Sequence, residues 1–283
     1  MKRISVFKEF RLLTMQYLRI LLGDVKNLIV CLAFPVIAAF ITVWIAGEDM
    51  FVNFEGTKSA CFVLVSAAIW GGLFNSIQTI VKERANIKRD LISGGLRLGC
   101  YTASRAILQL ILCALQSVIL CVSFYGVEWY YGNDMPSWGL IFDEPIAEFY
   151  ISLFLLTFAA DSMGMMISCI VKKEETASVM APYILIVQLI FSGVLFAMEG
   201  GAETVSYVML SRWGMETLGS VADLNELPLR LQADFPMLTH EADEMFEATA
   251  GHLLSGWGVL LLFSVAFLVL GNLFLHRVKK DTR

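Results

Sequence analysis

Eight charged side chains crowd into one short stretch, Lys82–Arg105: Lys82, Glu83, Arg84, Lys88, Arg89, Asp90, Arg97 and Arg105. Such a set makes ion pairs with a polar partner and breaks no covalent bonds. The other chemically capable groups are isolated. Asp161 is the only acidic residue deep inside an apolar run, where a carboxylate is costly unless paired or neutral. It is read either as a contact for a solute or proton, or as one half of an interhelical hydrogen bond to Gln109, Gln116 or Gln188. Asn75 and Gln78 offer amides that line a cavity or bond across helices, and Gln188 offers another. Histidines 240, 252 and 276 are too scattered for a metal site, and there is no HExxH or GxSxG pattern. No GxxxxGK[ST] phosphate loop occurs, so this stretch of chain does not bind ATP by that device.

The elements that position these groups are membrane helices. The chain has 283 residues, 57% hydrophobic and 17% charged, with mean hydropathy +0.69. A soluble domain would carry roughly 25% charged residues, so the class is a polytopic all-α membrane protein. Six apolar runs approach the ~20 residues that span a bilayer: 28–46, 59–81, 101–125, 149–171, 177–198 and 253–275. Residues 1–26 read as an amphipathic helix lying in the membrane interface, with Ile4, Phe7, Phe10, Leu18 and Leu21 opposed to Lys8, Arg11 and Arg19. No signal peptide is expected.

Charge orients the bundle. Eighteen of the 21 Lys and Arg lie before the first run, in the second-to-third connection, between runs four and five, or at the C-terminus. The positive-inside bias then expects both termini in the cytoplasm of a cell membrane. The net charge of −5 reflects acidic loops on the other side and implies no nucleic-acid partner. Trp129, Tyr130, Tyr131 and Trp138 mark an interfacial aromatic belt there. Within the long loop 199–252, residues 205–218 read as a helix with an Arg212–Glu216 pair at i, i+4, followed by an acidic stretch from Asp234 to Thr249. All six cysteines fall in the runs or at the inner face, so no disulfide framework is expected. Cys61 and Cys121 can meet, or pack as small apolar residues.

The segment ERANIKRDLISGGLRLGCYTASR resembles the second-to-third-span connection of G-type ABC exporters, the White and pleiotropic-drug-resistance group and its bacterial relatives. The family pattern is an E-R/K pair, an acidic residue seven positions on, then S-G, a basic residue and an aromatic. It maps onto Glu83-Arg84, Asp90, Ser93-Gly94, Arg97, Tyr101 and Arg105. Two more blocks agree in order: Tyr17–Ile41, with Pro35 inside its span, and Pro182–Asn225, with Arg212-Trp213-Gly214-Met215-Glu216-Thr217-Leu218-Gly219.

The resemblance implies an ABC-2 type permease: a connecting helix over 1–26, a transmembrane domain over 27–283 and a coupling helix over 82–100. It also implies a re-entrant exterior loop between spans five and six. Glu83, Arg84, Arg89, Asp90 and Arg97 would couple to an ATPase expected on a separate chain, which binds the ATP and Mg; this chain would bind no cofactor and not be an enzyme by itself. A second protomer, in a homo- or heterodimer, would complete a path. Asn75, Gln78, Asp161 and Gln188 are candidates to line it, with an apolar gate at Leu195-Phe196. The expected cargo is an amphipathic or hydrophobic peptide or lipid-like compound moved outward. Two other classes remain open. One is an intramembrane enzyme, for which Asp161 alone is too little; the other is a sensor or immunity subunit whose acidic loop captures a cationic peptide.

Overall fold

The computed structural model describes residues 5–46, 50–132, 136, 138–196, 198–228 and 243–280. These residues build an all-α bundle, as lipid requires, since a helix satisfies its own backbone groups where no water is available. In chain order the helices are α1 (Val6–Gly23), α2 (Val25–Ala46), α3 (Phe54–Ser76), α4 (Thr79–Ile92) and α5 (Leu98–Tyr131). There follow α6 (Pro145–Ile170), α7 (Glu174–Ile190), α8 (Gly201–Ser206), α9 (Leu210–Val221) and α10 (Ala250–Leu275). Among the described residues five stretches are long and apolar enough to cross a membrane: α2, the α3–α4 rod, α5, α6 and α10.

α6 is the central post and the most buried of the five. Glycines let α3 close on it. A Cβ on Gly72 would strike the Thr157 carbonyl and sit 2.9 Å from the Asp161 amide; one on Gly164 would sit 2.7 Å from the Leu73 carbonyl. Backbones approach this closely only where side chains are absent. One large core follows α3 and α6 to α9. A smaller one, with Ile80, Ile87, Leu91, Tyr101, Met165 and Val278, closes the end of the bundle that carries the basic residues.

The fifth expected span is shorter than its apolar run. α7 stops at Ile190, and Gly193, at φ +81°, turns the chain away. At 17 residues α7 falls short of the other five, and Leu195 and Phe196 lie beyond it in non-helical backbone, both exposed. α3 also breaks earlier than expected, at Ile77–Gln78, so α4 begins inside the second apolar run. It ends at Ile92, where Gly94 takes φ +73°, and α5 starts at Leu98. The expected 205–218 helix is two helices, α8 and α9. The acidic stretch from Asp234, with His240, falls largely on residues 229–242, outside the described residues.

Candidate functional site

α4 is the site's organising element, and its own sequence decides which side chains face where. Ile80, Ile87 and Leu91 are buried and recur at helical spacing, so they define its inner face. Glu83 and Arg84, three and four positions after Ile80, share that face; Arg89 lies opposite. Of the five residues of the expected docking set, Glu83 and Arg84 thus fall inward and Arg89 outward; Asp90, seven positions after Glu83, sits at the margin, and Arg97 lies beyond α4 at the start of α5.

Glu83 points into the bundle. Its carboxylate accepts hydrogen bonds from Tyr101 Oη at 2.8 Å and from the Arg105 guanidinium. Arg105 is 2% exposed and stacks over the rings of Tyr17, 3.8 Å from the centroid, and Tyr101, 4.9 Å. The knot continues along α5. Gln109 Nε2 donates to Tyr17 Oη at 2.9 Å and to the Asn75 carbonyl at 3.2 Å. Asn75 and Gln116 form a reciprocal amide pair (2.6 and 3.1 Å), and Gln116 also donates to the Cys31 carbonyl at 3.0 Å. One connected polar chain thus runs from α4 to the interior ends of α2 and α3. Burial raises the Tyr17 hydroxyl pKa, so it acts there as a neutral group.

Arg84 caps α6. Its Nη1 donates to the carbonyls of Cys169 and Val171, both at 2.9 Å, which a helix C-terminus leaves without intrahelical partners. In return α6 caps α4: Ser168 Oγ accepts the backbone N–H groups of Ile80 and Val81 at 3.0 Å each. α7 is held by Lys82–Glu174 at 3.4 Å and by Gln78 Nε2 donating to Ser178 Oγ at 2.6 Å. Arg97 binds α1, whose Glu9 accepts its backbone N–H at 2.7 Å and faces its guanidinium at 3.4 Å. Only Arg89 and Asp90 of the five stand free of the bundle, paired with each other at 3.4 Å and well exposed. Outside α4 opens a groove of about 1140 Å³, bordered by Lys88, Arg89, Ile92 and the α6–α7 turn at Lys172–Glu175.

The proposed path residues are not gathered in one place. Asn75 and Gln78 line a second cavity of about 510 Å³, between α1, α2 and α3. Asp161 lies on neither cavity. It is fully buried between α3 and α6, and its carboxylate oxygens have no hydrogen-bond partner among the described residues. The expected bond from a glutamine is not made. Gln109 and Gln116 serve the polar chain, and Gln188 accepts the Ser211 amide at 3.1 Å, fastening α7 to the start of α9. Helical spacing alone did not reveal which partner each amide would find.

At the opposite end Arg212 does not bridge to Glu216. Its guanidinium lies 4.1 Å over Tyr207 and donates to Ser206 Oγ, while Glu216 meets His252 at 3.3 Å. Glu148, inconspicuous in the sequence, accepts the amides of Leu140 (3.0 Å), Ile141 (2.5 Å) and Phe142 (2.9 Å) and so folds the loop ahead of α6. An acidic residue just inside a Pro-started helix was the available signal. The described residues contain no cluster of three His, Cys, Asp or Glu placed to hold a metal ion, and the cysteines are free thiols.

Comparison with known proteins agrees with this architecture. The family described as ABC-2 type transporter matches residues 8–221, the stretch from α1 through α9. The ABC transporter ATP-binding/permease protein Rv1747 of Mycobacterium tuberculosis is 22% identical over 233 residues, covering 79% of this chain. That alignment spans 26% of the mycobacterial protein, so this chain corresponds to about a quarter of its length. With most of its length matched and a multi-pass helical bundle to carry the match, the chain belongs to the ABC-2 type transporter family and is an ABC transporter permease.

Proposed function

We propose that this chain is the membrane half of an ABC exporter, driven through α4 by an ABC ATPase on a separate chain that binds the ATP and Mg. The carrying observation is the attachment of α4. Glu83 and Arg84 fasten it to α5 and α6 and the half-exposed Lys82 ties it to α7, while Lys88, Arg89 and Ile92, with Lys82 and Arg84, border an open groove. A helix so held hands any push on its outer face to the spans behind it, and the groove is where a soluble partner has room to push. Arg89 and Asp90 are the docking contacts. Glu83, Arg84 and Arg97 transmit the movement from inside.

Further parts of the reading follow from the family. α7 and the segment after it make a sixth, partly re-entrant crossing; both termini are cytoplasmic; and two protomers enclose one path. The pair alternates between inward- and outward-open states, a two-state switch biased by nucleotide. The cargo is amphipathic or hydrophobic and moves outward.

The test exchanges the exposed charges, Arg89→Glu with Asp90→Lys, in chain reconstituted with its co-purifying ATPase. Substrate-stimulated ATP turnover should fall at least tenfold while the melting temperature and membrane insertion stay at wild type. Full coupling in this variant would place the docking surface elsewhere.

A further inference from the structure

We infer that the cavity between α1, α2 and α3 binds a cationic amphiphile, with its charged head at Asp24 and its apolar part against Trp70 and Phe74. This names a cargo class for the proposed path, and it rests on that reading only where it identifies the ligand as cargo. Its about 510 Å³ lies within the range that holds small ligands.

The lining is sorted into two ends. On α3, Trp70 and Phe74 stand one turn apart with ring planes 9° from parallel and centroids 5.0 Å apart, and both are substantially exposed. Phe34 faces them from α2. The stacked rings share the cavity wall with the amides of Asn75 and Gln116, so the lining offers an apolar surface and a polar one to the same occupant. The other end carries Asn75, Gln78 and Asn27 with two carboxylates, Asp24 and Glu83. Asp24 stands just ahead of α2, ten residues before Phe34, which sets a head-to-tail span of about 15 Å.

The sign of the head follows from the charges. Glu83 is neutralised by Arg105, which does not itself line the cavity. Lys82, the one cation among the described lining residues, is already paired with Glu174 at 3.4 Å. Asp24 accepts only the backbone N–H of Asn27, at 3.2 Å, and has no cation partner among the described residues. An anionic head would meet an unbalanced carboxylate. An ammonium head meets its complement, with aromatic faces along the way that also attract cations. Asp24 and Gln78 occupy the α1–α2 and α3–α4 junctions, so an occupant bridges both breaks in the chain and contacts the polar chain at Asn75.

The test uses tryptophan quenching on the full chain in nanodiscs, without any ATPase. The probes are an alkyltrimethylammonium with a brominated tail and an alkyl sulfate with the same tail. The Trp70 signal is wild type minus Trp70→Phe. The expected result is saturable quenching of that signal by the ammonium, at least tenfold tighter than by the sulfate. Asp24→Asn should abolish that preference and Asp24→Glu should keep it, with both variants eluting and melting like wild type. Quenching that rises without saturating, equal affinity for both heads, or an unchanged preference in Asp24→Asn each overturns the inference. Because no ATPase is present, saturable and cation-selective binding upholds the site even if the charge-exchange experiment on α4 removes the transport reading. Failure here leaves that reading standing.

Discussion

Glu83→Ala is the sharpest perturbation of the site, and its size follows from what it strands. Arg105 is almost wholly buried between two tyrosine rings, and Glu83 is its only ion-pair partner among the described residues. Removing one member of a buried pair costs about 3–5 kcal/mol, because the surviving charge is left without compensation. The Glu83 side chain retains 22% exposure, so water relieves part of this and the lower end, about 3 kcal/mol, applies. Arg89→Ala should cost under about 1 kcal/mol, since both members of its pair are exposed. The double variant Glu83→Ala/Arg105→Met removes the stranded charge and leaves a flexible apolar chain between the rings, so it should be more stable than Glu83→Ala alone. Equilibrium unfolding in mixed micelles, extrapolated linearly to zero denaturant, measures wild type, the three single variants Glu83→Ala, Arg89→Ala and Arg105→Met, and the double variant. A Glu83→Ala protein within about 1 kcal/mol of wild type, or a double variant that loses the sum of its singles, would refute the buried-pair argument.

Three other outcomes are expected. Ser168→Ala removes the acceptor at the start of α4, so stability should drop by about 1 kcal/mol and the Ile80 and Val81 amides should exchange faster with deuterium; unchanged exchange would count against the cap. Gly72→Ala forces α3 away from α6 at the Thr157 carbonyl and should cost about 1–3 kcal/mol, read as a lower melting temperature, whereas Gly71→Ala, with only Phe34 at 4.0 Å, should be nearly neutral. Burial raises the Glu216 carboxyl pKa against the opposing pull of His252 and Arg212, so the folded state holds that proton more tightly than the unfolded chain. Its contribution to stability is therefore complete below the ordinary glutamate range and is lost as pH climbs through the raised value. Glu216→Gln should flatten that part of the stability–pH curve, and a curve of unchanged slope would show that another group carries it.

The bundle was legible because length and apolarity suffice to mark a span, and α2, α5, α6 and α10 lie where their apolar runs do. Where α7 ends was not legible, for the same reason. Its run stays apolar through Leu195 and Phe196, while the helix stops at Ile190 and Gly193 then takes φ +81°, a backbone conformation that hydropathy does not record. The inward turn of Glu83 and Arg84 was readable from Ile80, Ile87 and Leu91, since a shared face follows from spacing alone. The partners were not readable. Nothing local shows that Arg84 would meet the end of α6 or that Gln188 would meet Ser211, because both contacts depend on how distant helices dock. Asp161 illustrates the limit: its run predicted a costly carboxylate, and the structure places it in a tight α3–α6 contact without the bond expected to neutralise it.

On the proposed reading, the attachments of α4 also decide where the permease can bend. α3 and α6 are locked backbone to backbone at Gly72 and Gly164, and α4 is joined to α6 by reciprocal caps, so these three move as one body. Packed interfaces of this kind shift between discrete arrangements and do not stretch. The displacement must be taken up where helices end and packing thins, at the α1–α2 junction and after Ile190. Asp24 borders the cavity at the first of these, and the exposed Leu195 and Phe196 follow the second. A ligand bridging Asp24 and Gln78 would therefore hold the α1–α2 junction against the rigid body, which is the differential contact a cargo needs to bias the switch that nucleotide drives.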